Sequence, residues 1–390
     1  MKFLHVADLH IGKIVNEFSM LEDQKFILNQ IREMTVVNQV DALVIAGDIY
    51  DRSIPTAEAV ALLDSFLTDL SEQDIQIILI SGNHDSPERI SFGEKLLDKQ
   101  GVHIAGVQKE QLTKITLNNE GSKTEFVLLP FCKPAVVNAR TSEEAVRTLL
   151  EKYWRHELEC KEQEQEKNQE HKNRVLITHF FVTDAGRAPE LSDSETTIHI
   201  GGLDNVDASV FEGFDYVALG HIHKSQQIGQ HHIWYAGAPL KYSFGEFQNK
   251  TALLVTMTKD GLESVKPLEL RPLREMRKMK GTLQELLHAV TLGEVNQDYI
   301  QALLTDEGEL IDPIGTLRGV YPNIMQIVRQ DSGKGTAADG QDLSPNRVMA
   351  QHRDTIGLFE AFYETVREKP LSEDGKKVIV SIAKELEVKP

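Results

Sequence analysis

The stretch 43–51 reads LVIAGDIYD, a short apolar run that ends in a glycine and a carboxylate. Residues Leu43–Ala46 are apolar and partly β-branched, which predicts a strand buried on both faces. Gly47 has no Cβ, so the backbone can bend sharply where the strand ends. Asp48 then follows at the strand's C-terminal end, where open α/β sheets place their ligand crevices. This stretch therefore predicts a ligand site organised around Asp48.

Two other stretches of the chain have the same design. The apolar run Phe3–Ala7 leads into Asp8-Leu9-His10, and Ile75–Ile80 leads into Ser81-Gly82-Asn83-His84-Asp85. Parallel strands of one sheet end at the same edge, so these carboxylate, amide and imidazole side chains are expected to lie together. The three strand ends would thus form one polar site.

Helical patterns separate these strands. Apolar residues at helical spacing predict one helix from about Leu21 to Asn38 and another to about Leu70, with Pro55 at its first position. Alternation of strands and helices is typical of layered α/β architecture. Further strands are predicted at 126–129, 175–178, 216–219, 233–236 and 252–256. This second set predicts two sheets packed together, hence an α/β sandwich flanked by helices.

The second half of the chain divides into smaller segments. The polar residues 157–173 predict a solvated helix extension. Arg and Lys cluster within 268–281, where a solvated connector and a DNA contact both stay open. A small α+β unit follows, and after it a Gly-, Ser- and Asp-rich linker. Two amphipathic helices come last. Their apolar faces would have to pack on an apolar surface of this protein or of a partner. The predicted domains are 1–267, 268–330, 331–343 and 344–390.

Composition and charge narrow the functional classes. A net charge of −18 argues against a protein that coats nucleic acid nonspecifically, which needs clustered Lys and Arg. It still permits a nucleic-acid enzyme, because metal ions neutralise acids and a partner can supply basic surface. Cys132 and Cys160 form no disulfide framework and lack metal-ligand spacing, which fits a reducing cytosol. No apolar run is long enough to span a bilayer, so we expect a cytoplasmic protein without membrane contact.

Chemistry-bearing residues recur at the strand ends. A lone histidine after an apolar run is more often a structural residue than a ligand, and each motif alone is a weak signal. Five motifs in one order, each at a strand end, predict a metal centre. They are Asp8-x-His10, Gly47-Asp48-x-x-Asp51, Gly82-Asn83-His84-Asp85, His179, and Gly220-His221-x-His223. We interpret Asp48 as the carboxylate that bridges two metal ions.

This order of motifs is similar to that of the calcineurin-like metallophosphoesterase superfamily, and it resembles the SbcD branch of bacterial double-strand-break repair nucleases most closely. The residues that carry the resemblance are Gly47–Ser53, Gly82–Pro87, Ala218–Lys224 and Pro239–Phe244. The similarity covers most of residues 1–260 and, more loosely, the remainder. The polar segment 157–173 has no counterpart in the pattern. The resemblance implies a two-sheet phosphoesterase sandwich with a small capping domain and a C-terminal helical segment.

The resemblance also implies a site with two divalent metal ions. One ion would be held by Asp8, His10, Asp48 and His223, and the other by Asp48, Asn83, His179 and His221. A mixed set of carboxylate, imidazole and amide ligands suits Mn²⁺, Fe²⁺ or Zn²⁺ better than Mg²⁺, and Mn²⁺ is the ion we expect.

Two further residues are expected to act beside the metals. His84 adjoins the ligand Asn83 and could donate to a phosphate oxygen or protonate the leaving alkoxide. Asp51 is expected to orient His84, by the logic that fixes the tautomer of an imidazole with a carboxylate. An Asp in a loop more often only caps a turn, and this alternative for Asp51 stays open.

The family implies the substrate and the partners, since metals alone do not choose a phosphoester. It implies a dimeric Mn²⁺-dependent nuclease that pairs with an SMC-like ATPase, SbcC, through the C-terminal helices. Such a complex degrades duplex ends 3′ to 5′ with ATP and cuts hairpins and single strands. A general metallophosphoesterase acting on small phosphodiesters or phosphoproteins would share every ligand but would not need the terminal helices. An inactive scaffold would be marked by missing ligands, and none is missing here.

Overall fold

A computed structural model describes residues 1–119, 122–163, 172–192, 204–289, 297–308, 310–329, 363, 371–372 and 375–379. The chain divides into two compact units, Met1–Asp331 and Ser332–Pro390. The strands of the described residues are β1 (Lys2–Val6), β2 (Ile14–Val15), β3 (Phe18–Ser19), β4 (Ala42–Ala46), β5 (Gln76–Ile80), β6 (Val102–Ala105), β7 (Thr113–Asn119), β8 (Ser122–Leu129), β9 (Lys172–His179), β10 (Phe181–Thr183), β11 (Asn205–Asp207), β12 (Tyr216–Gly220), β13 (Gln226–Gln227), β14 (Ile233–Tyr235), β15 (Lys250–Thr258), β16 (Gly261–Leu270), β17 (Met276–Gly281), β18 (Tyr299–Leu304) and β19 (Ile324–Arg329). The α-helices are α1 (Leu21–Val37), α2 (Ala57–Ser71), α3 (Pro87–Ile90), α4 (Glu94–Leu97), α5 (Ser142–Gln163), α6 (Leu283–His288) and α7 (Pro313–Arg318).

Two six-stranded sheets form the body of the first unit. The first has the order β16-β15-β1-β4-β5-β6 and the second the order β13-β14-β12-β9-β8-β7. In the first sheet β1, β4, β5 and β6 run parallel, and in the second β8, β9, β12 and β14 run parallel. The strands that lead into carboxylate, amide or imidazole side chains all belong to these parallel sets.

Apolar side chains from both sheets meet in one buried layer. The rings of Phe3, Phe126 and Tyr216 make edge contacts across it, with centroids 5.4 Å apart for Phe3–Phe126 and 5.7 Å for Phe3–Tyr216. All three residues are fully buried. The predicted two-sheet α/β sandwich is therefore confirmed, and the apolar run at 43–46 lies in β4, whose five residues are all buried.

Helices cover the outer faces of the sandwich. Helix α1 packs Ile27 and Ile31 into the core behind the first sheet, within one residue of the predicted bounds. Helix α2 begins later than predicted: Thr56 is its N-cap, and the Thr56 hydroxyl accepts a hydrogen bond from the Ala59 amide. The placement of Pro55 at the first helical position was wrong, because a threonine with extended backbone caps the helix one residue further on.

A smaller sheet follows the sandwich. Strands β17, β18 and β19 run parallel in that order, and α6 and α7 close a separate core around Leu286, Ile300 and Tyr321. The sequence predicts a small α+β unit in this part of the chain, and the structure has one. The domain boundary between residues 267 and 268 stays a prediction. The predicted linker 331–343 lies outside the described residues. Most of the two predicted C-terminal helices also lies outside them, but residue 363 and residues 375–379 are described and are helical. Within the part of the chain that the structure describes, no helix could cross a membrane.

A buried ion pair joins α1 to the segment that leads into the small sheet. Asp23 is fully buried and accepts hydrogen bonds from Arg274, at 2.7 Å, and from the Tyr299 hydroxyl, at 2.7 Å. The Arg274 guanidinium also pairs with Glu22 and lies over the Tyr299 ring. Arg274 belongs to the basic cluster of the sequence, and here it serves packing.

We expect Arg274→Met to lower the free energy of unfolding by about 2–3 kcal/mol, because it leaves the Asp23 carboxylate buried without its cation. Thermal and urea unfolding of the full chain measure the change. Arg271→Met is the matched control, since the Arg271 side chain is 82% exposed and its pair with Glu269 is a surface pair. Equal losses in the two variants would contradict a structural role for the buried pair.

Candidate metal centre and active site

Five strand ends converge at one edge of the sandwich. Strands β1, β4 and β5 of the first sheet end there, as do β9 and β12 of the second. Seven predicted ligand residues follow or end these strands: Asp8, His10, Asp48, Asn83, His179, His221 and His223. The structure brings all seven together. The two sheets meet where His179 Nε2 lies 3.4 Å from Asp48 Oδ2.

The backbone at this edge is bent into an unusual conformation. Asp8, His10 and Asp48 have φ angles of 53°, 45° and 50°, and His221 has a φ of 103°. Residues with a Cβ rarely adopt positive φ, and each such residue costs on the order of 1–3 kcal/mol. Hydrogen bonds hold the bends, among them those from the Asp8 amide to the Gly47 carbonyl and from the His221 amide to the Asp8 carboxylate. Strain concentrated in this way is typical of a functional site.

The first group of side chains is deeply buried. His10 Nε2 and His223 Nε2 face each other at 3.0 Å, and Asp48 Oδ2 lies 3.7 Å from His10 Nε2. Asp8, His10 and His223 offer ligand atoms that all lie within 4.8 Å of one another. Two imidazole nitrogens aimed at one point, beside two carboxylates, form the donor set of a divalent metal site.

The second group lies nearer the surface. Asn83 Oδ1 is 3.0 Å from His179 Nε2 and 3.0 Å from His221 Nδ1. His179 Nδ1 is 2.8 Å from the Ala46 carbonyl oxygen, so the ring can donate there and leave Nε2 free to bind a metal. Asp48 borders both groups, which is the position of a bridging ligand. Asp8, Asp48 and His179 also offer ligand atoms within 4.8 Å of one another, so the two groups adjoin, and the division into two ligand sets that the resemblance implies stays a prediction.

Burial and charge set the protonation of the site. Burial lowers the pKa of His10 to about 3 and holds the pKa of His223 well below its usual value, which favours the neutral imidazole that metal binding requires. Burial raises the pKa of Asp48, but the charge of His179 outweighs it and holds the pKa well below the usual value. Burial lowers the pKa of His179, and the Asp48 carboxylate reverses this and raises it to about 9. Metal binding would replace that proton, since ligands must be deprotonated.

Two glycines make this close packing possible. A Cβ on Gly47 would lie 2.4 Å from His179 Nδ1, and a Cβ on Gly82 would lie 2.1 Å from Asp48 Oδ1. Gly47 also has a φ of 88°, which disfavours any other residue. The glycines before Asp48 and Asn83 are therefore required by the approach of the ligands, in addition to the turns.

His84 lies at the mouth of the site, with its side chain 42% exposed and Nε2 3.9 Å from Asp48 Oδ2. Its Nδ1 is 3.0 Å from the backbone carbonyl oxygen of Asp51. The expectation that the Asp51 carboxylate orients His84 was wrong, because that carboxylate points elsewhere. It pairs with Lys13 Nζ at 2.6 Å and lies 3.8 Å from His10 Nδ1. Asp51 thus contacts His84 through its main chain and faces His10 through its side chain.

Comparison with known proteins assigns the family. A model of the calcineurin-like phosphoesterases matches residues 1–225, and a model named for the SbcD C-terminus, the type 5 capsule protein repressor C-terminal domain, matches residues 272–367. The SbcD subunit of the nuclease SbcCD from Staphylococcus epidermidis is 33% identical over 375 residues, which cover 96% of this chain and 95% of that protein. The chain belongs to the SbcD family of calcineurin-like phosphoesterases.

Other relatives of this SbcD chain differ in how much they share with it. The SbcD subunit of the nuclease SbcCD from Staphylococcus saprophyticus is 29% identical, over 98% of this chain and 97% of its own length. Among solved structures, a dimetal phosphatase from Danio rerio covers 69% of this chain and 98% of its own length, with 12% identity and a TM-score of 0.39.

The sequence motifs assign no role to Asp85. In the structure its side chain hydrogen-bonds to the two loops that carry Asp48 and Asn83. Its buried carboxylate accepts hydrogen bonds from the amides of Ile49, Tyr50 and Gly82, at 3.0, 2.9 and 2.8 Å. Asp85 therefore joins the loop after β4 to the loop after β5, which carry Asp48 and Asn83. Burial, together with the charge of Asp48, raises the pKa of Asp85 to about 6.

Gly82→Ala is expected to weaken binding of a divalent metal ion about 10- to 100-fold, because the new methyl group would displace the Asp48 carboxylate. Isothermal titration of the full chain with Mn²⁺ measures the affinity without reference to turnover. Gly319→Ala is the matched control, since a Cβ there meets its nearest neighbour at 3.4 Å and the backbone has ordinary helical φ. Unchanged Mn²⁺ affinity in a folded Gly82→Ala protein would refute the requirement for close approach.

Proposed function

We propose that this chain is the Mn²⁺-dependent nuclease subunit of a cytoplasmic SbcCD-type complex that processes DNA ends. Its activities would be 3′ to 5′ degradation of duplex ends and cleavage of hairpins and single strands. The observation that carries the proposal is the complete set of seven ligand-type side chains, gathered at one edge of the sandwich in a chain of the SbcD family. An inactive scaffold would need no such set.

The proposed ligand roles follow from the two groups of side chains. One metal would be held by Asp8, His10, Asp48 and His223, and the other by Asp48, Asn83, His179 and His221. A pair of divalent ions lowers the pKa of a bound water and stabilises charge on the oxygens of an in-line displacement. The carbonyl of Ala46 fixes the ring of His179 for this task, and Asp48 Oδ1 accepts a hydrogen bond from the His84 amide.

His84 is the proposed proton donor to the leaving oxygen. The Asp51 carbonyl can accept a hydrogen bond from Nδ1, which leaves Nε2 directed toward Asp48 and the metal groups. Because its side chain is partly exposed while the ligands behind it are buried, His84 can touch a phosphodiester that reaches the site from solvent. A protonated ring would give up its Nε2 proton as the bond to the leaving alkoxide breaks.

His84→Ala should lower kcat about 10²–10⁴-fold, because it removes the proton donor and leaves the ligands in place. The assay is Mn²⁺-dependent cutting of an end-labelled duplex and a hairpin, with and without the ATPase subunit and ATP. Bound metal is measured on the same samples. His231→Ala is the matched control, since His231 is exposed on the loop before β14. A matching loss of bound metal in His84→Ala would instead make His84 a ligand.

The same assay separates the proposal from a general phosphodiesterase. Cutting of DNA that requires Mn²⁺ and His84 supports the nuclease. Turnover of a small phosphodiester, with no cutting of any DNA in the presence of the ATPase, would discard the DNA substrate while keeping the metal site. A chain truncated near residue 335 tests the proposed docking of the C-terminal helices, and continued binding of the ATPase would refute it.

Exposed apolar residues in the segment after the Asn83 and His84 loop support a proposed homodimer. Phe92 and Leu96, which follow the Asn83 and His84 loop, are 86% and 73% exposed. Leu96 and the 39% exposed Val107 line one shallow depression. Exposed apolar side chains such as Phe92 and the pair Leu96 and Val107 are candidates for an interaction surface. In a two-fold dimer each of these residues would be used twice.

Phe92→Arg should raise the dimer dissociation constant about tenfold or more, because two charges would enter an isologous apolar contact. Sedimentation velocity over a range of concentrations measures it. Val136→Arg is the matched control. It adds the same charge at an apolar residue that is 63% exposed and lies in another part of the chain, so the dimer dissociation constant should stay unchanged. If both variants sediment like the original chain, the dimer contact lies elsewhere.

A further inference from the structure

An exposed aromatic ring stands between the sandwich and the small sheet. Phe247 is 76% exposed, although large aromatic side chains are usually covered. Lys278, on β17 of the small sheet, places its Nζ 5.0 Å from the centre of the Phe247 ring. A contact that only fixed the small sheet would be expected to bury the ring. Here the ring stays open to solvent while a cation lies beside it.

An ion pair and hydrogen bonds of buried side chains fix the loop that carries Phe247. The neighbouring Glu246 is 3% exposed and forms an ion pair with Lys250, which is 5% exposed. Glu246 also accepts a hydrogen bond from the Tyr242 amide at 3.1 Å. Lys250 Nζ donates to the backbone carbonyl of His223 at 3.0 Å. The ring is therefore fixed to the same segment that delivers a proposed metal ligand.

The neighbouring strand carries three exposed basic residues, of which Lys278 and Lys280 share one face. Strand β17 is the edge strand of the small sheet and carries Arg277, Lys278 and Lys280. Arg277 pairs with Asp298, whereas no carboxylate of the described residues forms an ion pair with Lys278 or Lys280. Two lysines with no counter-charge among the described residues contrast with the net charge of −18 for the whole chain. Within the described residues, neither lysine would have to give up a carboxylate partner to bind a phosphate.

We propose that Phe247, with Lys278 and Lys280, binds an unpaired DNA strand, with one base stacked on the ring and the lysines on the flanking phosphates. The inference rests on the proposed nuclease function. A duplex hides the faces of its bases within its own stack, while an unpaired strand offers them to an aromatic ring. Stacking platforms beside backbone-binding cations are the usual means of holding single strands. The surface would thus favour overhangs and opened hairpins over blunt duplex.

Stacking can be observed directly with Phe247→Trp. Binding of a single-stranded oligonucleotide, without added metal so that nothing is cut, should quench the new indole fluorescence. The unsubstituted chain contains only Trp154 and Trp234 and gives the background signal. Quenching no greater than that background would overturn the proposal.

Affinity separates stacking from a structural role. Phe247→Ala should weaken binding of a duplex with a 3′ overhang about 5- to 100-fold and leave a blunt duplex unaffected. Equal losses for the two DNAs, or no loss, would overturn the platform. Turnover of a small phosphodiester with Mn²⁺ should stay unchanged, since the ring touches none of the proposed ligands. Loss of ATPase binding alone would assign the ring to a protein contact and likewise overturn the proposal.

The lysine is tested by salt dependence. Lys278→Gln should reduce the slope of log affinity against log salt by about 0.7 for the single strand, the share of one phosphate contact. Lys99→Gln removes the same charge from an exposed site before β6, at the opposite edge of the first sheet, and should leave the slope unchanged. Equal slopes for all three proteins would refute the phosphate contact. If the unsubstituted chain with its ATPase cuts no DNA, the nuclease proposal itself fails, and this result is distinct from all of the above.

Discussion

The contact between Asp48 and His179 is the interaction on which the site depends. The two residues belong to different sheets, and their side chains lie 3.4 Å apart. This distance is possible only because Gly47, Gly82 and Gly220 have no side chain, since a Cβ on Gly220 would lie 1.9 Å from the Ala46 carbonyl oxygen. The apolar layer between the sheets then fixes their spacing, and a well-packed interior does not yield by half an ångström without cost. Packing in the core therefore sets the geometry of the ligands.

Close approach has a cost, and the structure shows where it is offset. The positive φ angles of Asp8, His10 and Asp48 are unfavourable for residues with a Cβ. Asp85 counteracts part of this, because its carboxylate accepts three amide hydrogen bonds from the loops beside the site. Hydrogen bonds to a charged acceptor are stronger than those between neutral groups. The buried Asp85 carboxylate thus supports the loops that carry Asp48 and Asn83.

The sequence predicts much of this because a strand end is a local pattern. An apolar run followed by a glycine and a ligand-type residue predicts both the strand and the edge at which Asp48 lies. The order of the motifs, through the family resemblance, predicts which side chains share a group. Neither source predicts the carbonyl contact of Asp51 with His84 or the amide contacts of Asp85. Those contacts depend on how loops from different strands pack, which no spacing within a single segment encodes.

The metals cannot choose among phosphoesters, so selectivity must come from surfaces fixed relative to them. Two connections of this kind are present on the small-sheet side. Arg274, paired with the buried Asp23, ties the segment before β17 to α1, and Lys250 ties the loop of Phe247 to the carbonyl of His223. A DNA strand bound there would be held at a set position relative to the proposed ligands, because both connections are charge-assisted hydrogen bonds to buried groups. The acidic chain would then need only a few cationic side chains to bind its substrate, provided that these are fixed beside the Phe247 ring.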